Sequence, residues 1–158
     1  MRRTFRDELY KEMKEHKEIF LLVGDLGYKV FDKHFKAFPK RAINCGAAEQ
    51  AMIDMAVGLA IDGRIPVCYS ITTFLIYRPF ETLRTYVNHE KLPVKLVGSG
   101  RDKDYEHDGI SHWSEDLVLY LEHFTNMEKY WPRNVKDVKN WTHEFLFNMK
   151  PSFLSLRR

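Results

Sequence analysis

The sequence predicts a single α/β domain: a doubly wound, mainly parallel sheet of about six strands with helices on both faces. Three observations predict this fold. The 158 residues suffice for one domain with a hydrophobic core. Short apolar runs alternate along the chain with segments of helical periodicity. The runs are largely apolar and do not alternate with polar residues, which is typical of strands buried on both faces of a parallel sheet.

Each element follows from a local pattern. Apolar runs predict strands at residues 19–23, 42–45, 66–71, 94–97 and 153–156, with a weaker strand at 127–131. Apolar residues at helical spacing predict helices at residues 6–16, 48–61, 80–89, 114–124 and 135–148. Gly-Arg-Ile-Pro at 63–66 and Leu-Pro at 92–93 mark helix-to-strand crossings. No repeat, low-complexity segment or linker interrupts the pattern, so we expect one domain over residues 1–158.

Composition excludes several function classes. The net charge is only +3, because 25 basic residues are scattered among 22 acidic ones. Such mixing indicates solvated helix faces and not the one-sided basic face of a nucleic-acid-binding protein. No apolar run approaches the roughly 18 residues that a membrane span needs, and the N-terminus lacks a signal-peptide pattern. Cys45 and Cys68 lie in apolar segments at no metal-ligand spacing, which predicts buried thiols and a cytoplasmic location.

Ligands of such sheets bind beyond the carboxyl ends of the strands, so the residues after each strand carry the functional prediction. Gly-Asp-Leu-Gly-Tyr at 24–28 indicates a tight turn, and no phosphate-binding glycine motif occurs in the chain. After the second strand, three small residues at 46–48 lead into a helix that carries Glu49 in its first turn. Read alone, Glu49 is best explained as a favourable first-turn charge.

Two further segments follow the third and fourth strands. Phe74, Tyr77 and Phe80 recur at three-residue spacing, which fits either a core stripe or a stacking wall for a flat heteroaromatic ligand. The segment 98–113 is long, polar and rich in glycine, as functional loops often are. Its two histidines, His107 and His112, do not have the spacing of a zinc site.

Taken together, these segments resemble the pyrimidine-binding domain of transketolases and of the related deoxyxylulose-phosphate synthases, which are thiamine-diphosphate enzymes. The motifs stand in the family's order: Gly-Asp-Leu at 24–26, Gly-x-x-Glu-Gln at 46–50, Thr-Phe-Leu at 73–75 and Asp-Gly-x-Ser-His at 108–112. Lys-Leu-Pro-Val at 91–94 and the closing segment 151–157 also fit. The resemblance covers the chain from about Phe5 to Arg157.

The resemblance implies a role for each cofactor-binding residue. Glu49 matches the glutamate that hydrogen-bonds N1′ of the cofactor's aminopyrimidine ring. A carboxyl that shares a proton with N1′ allows the neighbouring imino group to remove the proton on C2 of the thiazolium, and the cofactor then acts as the electron sink. Three aromatic residues match those that line the pyrimidine pocket: Phe74, Tyr77 and Phe80.

The resemblance also implies which residues contact the substrate. His112 matches a histidine that reaches the C2 side of the thiazolium and the substrate oxygens. Asp108 matches an aspartate that contacts a substrate hydroxyl, and Arg157 matches an arginine that holds the sugar phosphate. We expect Glu49 and His112 to be the catalytic residues.

The chain also departs from the family. Val23 and Gly24 stand where transketolases have Ser-Ala before Asp-Leu, so a phosphate-binding serine is missing. Val-Gly-Ser-Gly at 97–100 replaces a stretch with a second phosphate-contacting histidine, and Trp113 replaces a glutamine. These departures weigh against a standard pentose phosphate as the substrate.

The sequence contains no Gly-Asp-Gly, the motif that holds the diphosphate through Mg²⁺ together with a later Asn. The diphosphate-binding and C-terminal domains of transketolases are therefore expected outside this chain. The leading hypothesis is a pyrimidine-binding subunit that transfers a two-carbon ketol unit between sugars or aldehydes. We expect it to work with a diphosphate-binding partner, and to associate with itself or form a heterotetramer. The alternatives are a subunit of a 2-oxo-acid decarboxylase or synthase, a fragment, and a non-catalytic binding module.

Overall fold

A computed structural model describes residues 1–26 and 29–158 of the chain. The turn predicted at 24–28 therefore lies partly outside the described residues, because it includes Gly27 and Tyr28. Six strands form one sheet in the order β2-β1-β3-β4-β6-β5, and every neighbouring pair is parallel. The strands are β1 Ile19–Val23, β2 Ala42–Asn44, β3 Ile65–Ile71, β4 Lys95–Ser99, β5 Glu128–Tyr130 and β6 Ser152–Leu156.

Helices occupy most of the segments between strands. They are α1 Arg2–Glu15, α2 Asp32–Ala37, α3 Glu49–Ile61, α4 Thr72–Tyr77, α5 Phe80–Thr82, α6 Leu117–Glu122 and α7 Val135–Phe147. A π-helix at Leu83–His89 continues α5, and two 3₁₀ turns, Glu106–Asp108 and Ile110–His112, lie in the loop after β4. No helix in the two described ranges is long and apolar enough to cross a membrane.

Alternating strand side chains build a core on each face of the sheet. Leu22 and Cys68 point into one core with α3, the π-helix and α6. Leu21 and Val67 point into the other core with α1 and α7. This alternation, which follows from the period of two in a strand, explains why apolar residues stand at consecutive positions in the central strands. The predicted fold class is confirmed.

The topology determines where a site can form. Because all six strands run in the same direction, their carboxyl ends meet at one edge of the sheet. Glu49 follows β2, Phe74 follows β3 and His112 follows β4. All three therefore lie at this edge, as the sequence predicted.

Candidate functional site

A short turn buries Glu49 at the start of α3. The side chain of Asn44, the last residue of β2, accepts a hydrogen bond from the Gly46 backbone N–H at 2.9 Å. Gly46 has φ +70°, a left-handed conformation that glycine adopts at little cost. The chain then enters α3 at Glu49, which is only 1% exposed. A charge that only complemented the helix dipole could have stayed in water, so its burial needs another explanation.

Two side chains satisfy the buried carboxyl group. Ser70 Oγ, near the end of β3, donates a 2.7 Å hydrogen bond to Glu49 Oε1. Arg78 Nη1 donates to Oε2 at 2.5 Å and forms an ion pair with it. Burial of an unpaired carboxylate costs several kcal/mol, so these partners are a condition for the observed position of Glu49.

The backbone of Gly24 encloses Glu49 on a third side. Gly24, directly after β1, approaches the carboxyl so closely that a Cβ there would lie 2.9 Å from Glu49 Oε1 and 2.8 Å from Ser70 Oγ. The Gly24 N–H donates to the Tyr69 carbonyl at 2.9 Å, which fixes this backbone against β3. A side chain at position 24 would fill the space beside the carboxyl.

Phe74 provides a flat face beside Glu49. The Arg78 guanidinium carbon lies 3.8 Å from the centre of the Phe74 ring, within cation–π distance. The His112 ring meets Phe74 edge to face, with centroids 4.9 Å apart. Glu49, Phe74 and His112 are thereby brought together through Arg78 and one aromatic ring.

Tyr77 and Phe80 lie on the other side of this segment, toward α6. Tyr77 donates its hydroxyl to Asp116 Oδ1 at 2.7 Å and packs against the ring of Tyr120. Burial and this hydrogen bond raise the pKa of the Tyr77 phenol. Phe80 packs against Phe124 with centroids 5.3 Å apart. The three rings at three-residue spacing therefore do not form one continuous wall. Of the three, only Phe74 contacts Arg78 and His112 in the structure.

The loop after β4 is anchored to the carboxyl end of β3. Thr72 Oγ1 donates to the Gly100 carbonyl, and Thr73 Oγ1 donates to the Ser111 carbonyl at 2.7 Å. His112 follows directly, and its Nδ1 lies 2.9 Å from Ser111 Oγ. These hydrogen bonds hold His112 against Phe74 although it lies on a loop.

Asp108 and Arg157 have their own partners. Asp108 is exposed, and its Oδ2 lies 3.3 Å from His107 Nε2. Arg157 is half exposed and pairs with Asp102 at 2.7 Å and with Asp104 at 3.3 Å. An anionic ligand at Arg157 would compete with these two carboxylates.

Sequence reasoning missed three residues of the site: Gly24, Ser70 and Arg78. Gly24 and Arg78 lie inside segments that the sequence marked as functional, yet nothing local indicated their contacts with Glu49. Ser70 and Arg78 stand 21 and 29 residues from Glu49 in the chain. A serine within an otherwise apolar strand was the one available signal, since a buried hydroxyl needs a partner.

The chemistry of this site fits an aminopyrimidine ring. Such a ring needs an aromatic face for stacking, which Phe74 offers, and a carboxyl group for its ring nitrogen, which Glu49 offers at Oε2. Within residues 1–26 and 29–158, no group of three His, Cys, Asp or Glu side chains could hold a metal ion.

Comparison with known proteins supports the same chemistry. Residues 1–158 match the family described as "Transketolase, pyrimidine binding domain". The chain is 33% identical over 141 residues to a "Putative transketolase C-terminal section" of Methanocaldococcus jannaschii, covering 89% of this chain and 45% of that protein. It is 31% identical to the "6-deoxy-6-sulfo-D-fructose transketolase subunit SqwH" of a Clostridium species, covering 100% of this chain and 49% of the relative. The chain thus spans about half the length of these curated relatives.

Solved structures show the same fold. A "Split gene transketolase, inactive beta4 tetramer" superposes with a TM-score of 0.86 at 26% identity, covering 99% of this chain and 50% of the other. A transketolase from Leishmania mexicana also gives 0.86, at 19% identity and covering 99% of this chain and 25% of the other. At that lower identity the second likeness concerns the fold alone.

Proposed function

Because the chain belongs to the family of transketolase pyrimidine-binding domains, we propose that it is the pyrimidine-binding subunit of a split, thiamine-diphosphate-dependent transketolase-like enzyme. The reaction is the transfer of a two-carbon ketol unit between sugar or aldehyde substrates. One observation carries the proposal: a fully buried carboxyl group, Glu49, lies beside an aromatic face, Phe74, at the edge of the sheet where ligands bind.

Glu49 holds the proton at N1′ of the aminopyrimidine. Ser70 donates to Oε1, and we assign the ring nitrogen to Oε2, which accepts from Arg78 in the empty site. Phe74 stacks on the ring and orients it, and the backbone of Gly24 packs against the carboxyl group on another side. When bound, thiamine diphosphate supplies a nucleophilic carbon and an electron sink for the two-carbon unit.

His112 works at the substrate end. Its ring lies on the Phe74 side of the site, and its position is fixed by the anchored loop. We assign it the proton transfers to and from substrate oxygens, a role for which an imidazole is suited near neutral pH. Asp108 binds a substrate hydroxyl, and Arg157 binds an anionic group in competition with Asp102 and Asp104.

The diphosphate end belongs to a partner subunit. We propose that this partner carries Gly-Asp-Gly and a later Asn as ligands of Mg²⁺, which prefers oxygen ligands together with phosphates. Two relatives support a division between subunits, because each is named as one subunit of a transketolase: the SqwH protein of the Clostridium species, and an apulose-4-phosphate transketolase subunit of Actinobacillus succinogenes. We place the complex in the cytoplasm, in agreement with the free thiols of Cys45 and Cys68.

Self-association is a further part of the proposal. One stripe of α3, together with the residue before it, is apolar yet exposed, and it consists of small or flexible residues: Ala48, Ala51, Met55 and Gly58. A Cβ built on Gly58 meets no atom within 4 Å, so the chain itself does not explain a glycine in mid-helix, whereas close approach of a second copy does.

The substitution Glu49→Gln tests the proposal in the complex with the diphosphate-binding subunit. Gln keeps a hydrogen bond to N1′ but cannot exchange a proton with it. Because general acid–base contributions are typically about 10²- to 10⁴-fold, the rate of C2–H exchange measured by NMR should fall by that factor. Cofactor binding and the fold should be largely kept.

His112→Ala is the matched comparison, since it alters the same site away from the carboxyl. It should slow substrate turnover and leave C2–H exchange nearly unchanged. If Glu49→Gln exchanged the C2 proton at the wild-type rate, Glu49 would be a structural residue and the proposed function would be wrong.

A further inference from the structure

Arg78 occupies the two contacts that the aminopyrimidine ring needs. Its Nη1 donates to Glu49 Oε2 at 2.5 Å, and its guanidinium carbon lies 3.8 Å from the centre of the Phe74 ring. We propose that Arg78 closes the empty pyrimidine site and is displaced by the cofactor, so that it sets the affinity of the chain for aminopyrimidine rings. This inference rests on the proposed function, since it takes Glu49 and Phe74 as the ring-binding residues.

The shape of the guanidinium explains the competition. It is planar, it stacks on aromatic faces and it donates hydrogen bonds within its plane. An aminopyrimidine hydrogen-bonded to a carboxyl group has the same features. Two flat groups cannot share one face of Phe74 and one oxygen of Glu49, so one must leave before the other binds.

The buried negative charge of Glu49 explains why the empty site needs the guanidinium of Arg78. Glu49 is 1% exposed, and a buried carboxylate without a counter-ion is strongly destabilising. Ser70 contributes one neutral hydrogen bond, whereas Arg78 contributes a full positive charge. Arg78 therefore stabilises the ionised carboxyl group of Glu49 until an aminopyrimidine ring, which can share a proton with that carboxyl, replaces the guanidinium.

Among the described residues that contact Glu49, Arg78 is also the one that can move away. Its side chain is 43% exposed and begins just after α4, so the guanidinium can turn outward into water. Ser70 is 0% exposed within β3, and Gly24 has no side chain to move. Displacement by rotation of Arg78 leaves the rest of the site intact.

The test measures binding of 4-amino-5-hydroxymethyl-2-methylpyrimidine, the ring portion of the cofactor, to the full chain by NMR titration. Arg78→Ala should bind this probe about ten-fold more tightly than the wild type, because no ionic hydrogen bond has to be broken first. Arg84→Ala is the matched control, since it removes the same charge from an exposed position in the π-helix. It should bind like the wild type.

Two further measurements keep the test decisive if Arg78→Ala fails to fold. Arg78→Gln retains a donor for Glu49 without the stacked cation, and it should also bind more tightly. In the wild type, the Arg78 Nε–H resonance should shift as the probe saturates the site. Equal affinity in the wild type and the folded Arg78 variant would overturn the inference. So would an unshifted resonance at saturation, or no probe binding to either protein up to its solubility limit.

The failure of this inference can be told from failure of the proposed function. Normal C2–H exchange in Glu49→Gln, with tighter binding in Arg78→Ala, would remove the catalytic role of Glu49 and leave the competition standing. Impaired exchange in Glu49→Gln, with no effect of Arg78→Ala, would support the function and remove the role of Arg78.

Discussion

Glu49 is held in place by residues that differ in kind: a serine hydroxyl, an arginine and a glycine backbone. Each excludes water from one side of the carboxyl group. A functional acid has to be held this closely because a shift of even one ångström weakens a hydrogen bond that must form at a defined atom. Gly24 is the simplest of the three to test, since the close approach of its backbone depends on the absence of a side chain.

We predict that Gly24→Ala destabilises the chain and misplaces Glu49. The added methyl would lie 2.8 Å from Ser70 Oγ and 2.9 Å from Glu49 Oε1, so at least one of these buried groups must move. Overpacking of this kind costs about 1–3 kcal/mol, which urea denaturation can measure. C2–H exchange in the complex should fall as well. Wild-type stability together with wild-type exchange would show that the site is looser than the structure indicates.

At the scale of elements, the sheet was predictable from the sequence because its central strands, β1, β3, β4 and β6, are buried on both faces along most or all of their length. The apolar run at 19–23 coincides with β1, and the others begin or end within a few residues of the observed strands. The short helices were harder to predict. Asp32–Ala37 was missed because six residues contain too little periodicity, and the helix predicted at 80–89 is divided into α5 and a π-helix.

The site was predictable only as far as the topology determines it. Parallel strands bring Glu49, Phe74 and His112 to one edge, so their shared location follows from the order of elements. The contacts of Ser70 and Arg78 with Glu49 depend on how β3 and α4 pack beside α3, and no spacing in the sequence encodes that. Tyr77 and Phe80 show the same limit, because their spacing from Phe74 does not reveal that both rings pack against Tyr120 of α6.

Lys95 joins two elements at the edge of the sheet opposite the site. It is the first residue of β4 and 0% exposed, and its Nζ donates to Asn148 Oδ1 and to the Lys150 carbonyl, just after α7. Burial lowers the pKa of Lys95 from its ordinary value of 10.5 to about 7. The charged form is therefore less favourable in the folded chain than in the unfolded chain.

This difference predicts a pH-dependent stability. Between pH 7 and pH 10.5 the unfolded chain binds more protons at Lys95 than the folded chain does. The free energy of unfolding should therefore rise with pH in this window, by up to about 1.4 kcal/mol per pH unit, and Lys95 should contribute no slope at lower pH. Urea denaturation of wild type and Lys95→Met across this range isolates the contribution. Parallel stability curves for the two proteins would contradict it.

At the scale of the whole molecule, α3 connects the site to the proposed contact with a second copy, because Glu49 begins the helix and its exposed apolar stripe runs along it. We predict that Met55→Lys, in the middle of that stripe, gives a monomer of unchanged fold in sedimentation experiments, whereas the wild type sediments as an oligomer. Val135→Lys is the matched control, since Val135 is 55% exposed on α7 and Met55 is 43% exposed. A monomeric wild type, or an oligomer that survives Met55→Lys, would refute this contact.

The last prediction concerns what the isolated chain can bind. Its pyrimidine site offers one carboxyl hydrogen bond and one stacking face, contacts that together correspond to an affinity of roughly millimolar after the cost of binding. The diphosphate and Mg²⁺ require oxygen ligands that we assign to the partner subunit. Calorimetry should therefore find weak, Mg²⁺-independent binding of thiamine diphosphate to the chain alone. Binding should become tight and Mg²⁺-dependent when a subunit with Gly-Asp-Gly is added. Tight, Mg²⁺-dependent binding by the chain alone would mean that its own residues hold the diphosphate, and the proposed division of the site between two subunits would be wrong.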